Sequence, residues 1–118
     1  MFDFGMADPK LPNSRAAYIP DAKLLNYLLS PSHPEGGPKA AFFDSIGYSL
    51  VNAEALRSEL LRIARDGILT KTESIECGEK YVVEGTLSNG PKPGIPLRTI
   101  WVIDYGTTAP RLITAYPL

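Results

Sequence analysis

The chain is poor in the residues that most often announce a function. It has one cysteine, Cys77, and one histidine, His33. A lone cysteine excludes an internal disulfide framework, and a single histidine beside it cannot complete a zinc site. No carboxylate loop of the calcium-binding kind occurs, so no metal and no cofactor are expected. Phosphate-loop, zinc-protease and nucleophile-elbow strings are lacking too. There is no excess of one charge: twelve Lys+Arg face thirteen Asp+Glu, for a formal net charge of -1. A protein that coats nucleic acid unspecifically carries a clear basic excess, so any nucleic-acid role must rest on a local patch. No apolar run approaches the about 18 residues of a membrane span. The opening "MFDFGMADPK" has early acids and no apolar stretch of signal-peptide length. A cytoplasmic protein with no membrane partner is the expectation.

What is present describes a globular domain. A length of 118 residues suits one domain that buries most of its unfolded surface. Hydrophobic content of 44% and charged content of 21% set it apart from disordered chains. Residues 1–20 hold Pro9, Pro12 and Pro20 without periodicity and read as an extended N-terminal arm, with Ala16 to Ile19 against the body. Residues 21–118 read as a single domain. Asp21 is a plausible cap for a short helix whose Leu24, Leu25, Leu28 and Leu29 share one face. Pro31 stops it. Pro38 opens a second helix, with Ala40, Ala41, Phe42, Phe43 and Ile46 on its buried side and Gly47 as its C-terminal cap. A third runs from the cap Asn52 to Asp66, with Leu56, Leu60 and Ile63 inward and Arg57, Arg62 and Arg65 read as solvated.

After Gly67 the period changes to two. Strands are expected over Ile68 to Ile75, Lys80 to Ser88, Leu97 to Tyr105 and Arg111 to Pro117, with Cys77 in a hairpin turn and Asn89 to Pro96 in a Gly/Pro loop. The "LRTIWVIDY" segment is the strongest and belongs in the sheet centre. Helices first and strands afterwards predict an α+β fold: three N-terminal helices packed on one face of a four-stranded antiparallel sheet.

Chemistry then has few carriers. If Tyr105 pairs with Arg111, residues of equal parity share a face. Arg98, Ile100 and Val102 would lie beside Leu112, Thr114 and Tyr116, away from the helices. Thr99, Trp101, Ile103, Ile113 and Ala115 would form the apolar side. A cluster of Arg98, Thr114 and Tyr116 reached by His33 and Lys39 suits metal-independent cleavage of RNA. The 2′-hydroxyl must lose a proton, the leaving oxygen must gain one, and the phosphorane needs donors. Histidine titrates near neutrality, Arg forks onto phosphate oxygens, and Lys is a compact charge. Hydroxyls orient phosphate, and an aromatic ring can stack on a base. The candidate catalytic residues are thus His33, Lys39, Arg98 and Thr114, with Arg111 and Tyr116 as binding residues. Each also has a structural alternative. His33 can be a turn residue between prolines, and Lys39 a solvated first-turn side chain. Arg98 can pair with Glu84, Arg111 can be simple surface, and Thr114 and Tyr116 are good strand formers.

The strings "LPN", "KLLNYLLSPSHPEGGPKAAFFDSIGYS", "KYVVEGTL", "LRTIWVID" and "PRLITAYP" resemble a bacterial domain family of unknown function. Its members occur alone and at the C-termini of polymorphic toxins. That family in turn looks like the barnase–EndoU–colicin–RelE group of metal-independent RNases, whose helices precede a four-stranded sheet. The resemblance implies His33 and Lys39 as basic residues where the helical part begins, with Arg98 and Thr114 as strand-borne cation and hydroxyl. It also implies RNA, or a cognate toxin, antitoxin or immunity protein, as partner. The chain departs from the family's "HPxGRHKA" form, with Gly37-Pro38 where Arg-His is usual. That departure, with near-neutral charge, keeps open a non-catalytic immunity or adaptor module that binds through the open sheet face.

Overall fold

A computed structural model describes residues 9–88, 90 and 92–118. Within it, α1 (Asp21–Lys23) runs directly into a π-helical turn, Leu24–Leu28, and is followed by α2 (Gly37–Ser45), a 3-10 turn (Leu50–Asn52) and α3 (Ala53–Asp66). Four strands come after: β1 (Ile68–Ile75), β2 (Gly78–Leu87), β3 (Ile95–Asp104) and β4 (Arg111–Pro117). They pair antiparallel in the order β1-β2-β3-β4. The domain is therefore α+β, with β3 in the interior of the sheet. No helix among the described residues is long and apolar enough to cross a membrane.

The core lies between the helices and the sheet face that carries Leu97, Thr99 and Trp101. Leu24, Leu28, Phe43, Leu56, Leu60 and Ile63 meet Val83, Leu87, Leu97, Trp101 and Leu112 there. Thr99 is buried without loss because its hydroxyl donates to the Val83 carbonyl at 2.8 Å and accepts from Trp101 Nε1 at 2.7 Å. On the opposite face, Lys80, Val82 and Glu84 pair across from Val102, Ile100 and Arg98.

Three expectations change. Residues 9–20 are tied to the body by the buried Leu11 and Ile19 and by a bridge between Tyr18 and Arg111, while residues 1–8 of the expected arm lie outside the described residues. Arg57 and Arg62 are engaged rather than solvated. Arg57 donates to Asp21, Glu54 and the Ile19 carbonyl; Arg62 donates to the buried Glu59 and to the Thr86 carbonyl. Glu59 also accepts from the Ser88 N–H at 2.9 Å, which fastens α3 to the end of β2. The register also differs, because Arg111 sits opposite Val102 and a bulge falls between Ile100 and Trp101. The bulge sends Leu112 into the core opposite Trp101, yet leaves Arg98 opposite Tyr116 and Ile100 opposite Thr114. Two offsets cancel, and Arg98, Thr114 and Tyr116 do share a face.

Candidate functional site: a cationic cluster around Tyr27

The link from Pro31 to Gly36 is a series of turns, and His33 organises it. Its Nδ1 accepts from the backbone N–H of Glu35 at 3.0 Å and of Gly36 at 2.9 Å, and its carbonyl accepts from Gly37 N–H at 2.8 Å. Gly36 is required here, since a Cβ on it would stand 2.0 Å from the Tyr27 carbonyl oxygen. This close approach seats the turn on the π-helical segment.

Tyr27 is the hub. The His33 ring meets it edge-to-face, with centroids 5.1 Å apart and an interplanar angle of 87°. Lys23 Nζ lies 4.5 Å from the Tyr27 ring centre and Lys39 Nζ 5.6 Å from it. The Tyr27 hydroxyl shares a hydrogen bond of 3.2 Å with Thr114 Oγ1 on the edge strand β4. Three separate elements, α1 with its π-turn, the 31–36 link with α2, and β4, thus converge on one phenol. Among the described residues no carboxylate is within ion-pair distance of Lys23 or Lys39 (compare the seven pairs formed elsewhere). Beside the ring is an open cavity of about 470 Å³, lined by Pro20, Ala22, Lys23, Asn26, Tyr27, His33 and Glu35. A narrower cavity of about 330 Å³, between Leu29, Pro31, Ala40 and Tyr48, has Asp44 as its one charged lining residue and none of the candidate cations.

The remaining candidates sit farther along the open face. Arg98 donates to Glu84 Oε2 through Nε at 3.0 Å, with its terminal nitrogen at 2.9 Å, and its guanidinium lies 5.9 Å from the Tyr116 ring centre. The hydrogen bond to Glu84, with Tyr116 second, holds the guanidinium above its ordinary range. The pairing with Glu84 is thus the structural alternative realised. Arg111 forks onto Asp104, with contacts of 2.6 and 3.0 Å. That bond raises Arg111 and holds the Asp104 carboxyl below the usual range. A second open cavity, about 450 Å³, lies among Lys71, Lys80, Glu84, Arg98, Ile100 and Tyr116. Thr114 and Tyr116, two apart on β4 and on one face, connect it to the Tyr27 cluster.

The six candidates therefore divide. His33, Lys39 and Thr114 come together around Tyr27; Arg98 and Tyr116 form a neighbouring platform; Arg111 is bound up with Asp104. Tyr27 and Lys23 were missed. The signal for them was local, because residues four apart on a helix face each other. Among the described residues no group of three or more His, Cys, Asp or Glu is arranged to hold a metal.

A sequence model of the family described as Domain of unknown function (DUF6883) matches residues 10–118. The chain belongs to this family. No curated protein and no solved structure is matched by it. The family description states no activity, and what this DUF6883 member does with its Tyr27 cluster has to be argued from the cluster's own chemistry.

Proposed function

We propose that the chain is a metal-independent, RNase-type domain that binds the phosphodiester of single-stranded RNA at the Tyr27 cluster and promotes attack by the 2′-hydroxyl. One observation carries this reading: two ammonium groups without carboxylate partners and the only imidazole converge on one phenol beside an open cavity. Like charges gathered this way repel each other until an anion joins them, and a phosphate is the anion that compact ammonium groups and hydroxyls suit. In the reaction the 2′-oxygen attacks phosphorus and the P–O5′ bond breaks. The 2′-hydroxyl proton leaves to water and Lys39 supplies one to the 5′-oxygen, giving a 2′,3′-cyclic phosphate and a 5′-hydroxyl. Lys23, Lys39 and the His33 ring stabilise charge on the phosphorane, and Thr114, tied to Tyr27, orients it. The neighbouring nucleotide stacks on Tyr116 beside Arg98. Arg111 stands at the rim, and the setting is cytoplasmic. Preorganised stabilisation of developing charge often supplies most of the rate enhancement in such catalysis. A general base adds about 10²–10⁴-fold, so without one a slow nuclease is expected.

The test is salt-dependent binding of a labelled single-stranded RNA, followed by analysis of its ends. Replacing both Lys23 and Lys39 by alanine is expected to flatten the log–log salt slope by about 0.7 per lost contact. Arg98→Ala, which removes an already paired cation, changes it less. RNA that neither binds nor is cut at high protein concentration sinks the reading. That result would favour the second one, an immunity or adaptor module on the open face. The observation behind it is that the arginines there are already satisfied by Glu84 and Asp104, as suits a protein partner better than a polyanion.

A further inference from the structure

The sole histidine invites the role of proton shuttle, but its hydrogen bonds assign another. We infer that His33 acts as a fixed, neutral hydrogen-bond donor to a phosphate oxygen, through Nε2–H, and carries no proton in the reaction; its occupant, RNA phosphate, rests on the RNase reading. Neutral imidazole has one N–H and one accepting nitrogen. Nδ1 is the acceptor, because two backbone amides, from Glu35 and Gly36, both point at it. Turning the ring over would set a carbon against both amides. The hydrogen therefore sits on Nε2.

Two consequences follow from that placement. A general base needs a lone pair on the nitrogen facing the substrate, and Nε2 has none in this tautomer. A general acid needs an imidazolium, whose second proton would have to enter at Nδ1 between two amide hydrogens. Neither role is open while the 33–36 turn stands. That turn is held by Gly36, packed so closely on the Tyr27 backbone that a Cβ does not fit, and by the Gly37 N–H to His33 carbonyl bond. The titratable and charged groups gathered around the ring are Tyr27, Lys23 and Lys39, with Glu35 lining the same cavity. An N–H donor next to two ammonium groups reads anionic oxygen, and a phosphodiester offers two such oxygens in reach of several donors at once.

The single histidine makes the test clean, since ring-labelled protein gives one pair of nitrogen resonances. Protein labelled with ¹⁵N-histidine is followed from about pH 5 to pH 8, across the ordinary histidine range. It is studied alone, with a short single-stranded RNA, and with inorganic phosphate. The expected result is an Nε2–H ring in the free protein and a shift of Nε2, with the tautomer unchanged, when RNA is added. His33→Asn complements it, because asparagine can accept from the same following amides but presents no ring N–H. That variant should keep its melting temperature and lose about tenfold or more in RNA affinity. An Nδ1–H tautomer, a ring that becomes imidazolium with RNA bound, or an Nε2 that moves with neither RNA nor phosphate overturns the inference, as does a His33→Asn variant with wild-type affinity. If phosphate moves Nε2 and RNA does not, the donor role stands and the RNA reading fails.

Discussion

Cations on this chain are handled in two ways. On the open sheet face, Arg98, Arg111 and Lys80 each have a carboxylate, Glu84, Asp104 and Glu73 respectively. Around Tyr27, Lys23 and Lys39 have an aromatic ring instead. A ring attracts a cation without neutralising it, so the charge stays available to an incoming anion. Paired arginines across strands hold a sheet in register and contribute little more when exposed. The contrast separates residues that the sequence makes look alike: all five are basic and near strands or helix ends, and two of them are free to bind.

The comparison can be broken by removing what both regions rest on. Trp101 is fully buried beneath the β3–β4 pair, and Trp101→Ala is expected to cost about 3–5 kcal/mol in urea unfolding. RNA binding and sheet register should be lost together. A narrower break is Gly36→Ala. Its Cβ meets the Tyr27 backbone at 2.0 Å, and forced overpacking of this kind costs about 1–3 kcal/mol. Here the His33 turn and the Tyr27 cluster should move while the Arg98–Glu84 and Arg111–Asp104 pairs stay, as amide chemical shifts would report. If both regions respond equally, they are not independent. The smallest effect is on the open face. Arg111 holds the Asp104 carboxyl below its ordinary value, so the pair stabilises the fold above about pH 3.9, the unperturbed aspartate value, and the contribution fades as pH falls below it. Asp104→Asn should lower the melting temperature slightly at pH 7, with the gap to wild type closing in acid. RNA affinity should hardly change. A gap that persists at about pH 2, well under that aspartate value, would remove the ion pair as its cause.

Fold and site were legible to different depths. Periodicity placed the strands to within three residues at most ends, because alternation of Thr99, Trp101 and their neighbours against a buried face is written directly into the chain. The shared face of Arg98, Thr114 and Tyr116 was reached through an assumed turn pairing that the β4 bulge makes wrong, and the same bulge restores the parity. No residue type encodes that bulge. His33 and Lys39 were legible as chemistry-bearing types, and the aromatic they surround was not. Tyr27 stands in a run of leucines, and its role depends on a hydroxyl reaching Thr114, 87 positions away. The tautomer of His33 was out of reach as well, since it is decided by two backbone amides whose direction only the folded turn sets.

The π-helical turn at Leu24–Leu28 has a consequence that is best counted in residues. A turn closed by bonds to the fifth residue, as Leu29 N–H to the Leu24 carbonyl is here, accommodates one residue more than an α-helical turn over nearly the same rise. Deleting one residue from this span would let an ordinary helix form and would turn everything beyond it by about 100°. The leucines could find new places in a forgiving core. The phenol could not keep both Lys23 and Thr114. Length within this one turn, more than the identity of any side chain in it, is therefore what natural variation in the chain has least freedom to alter.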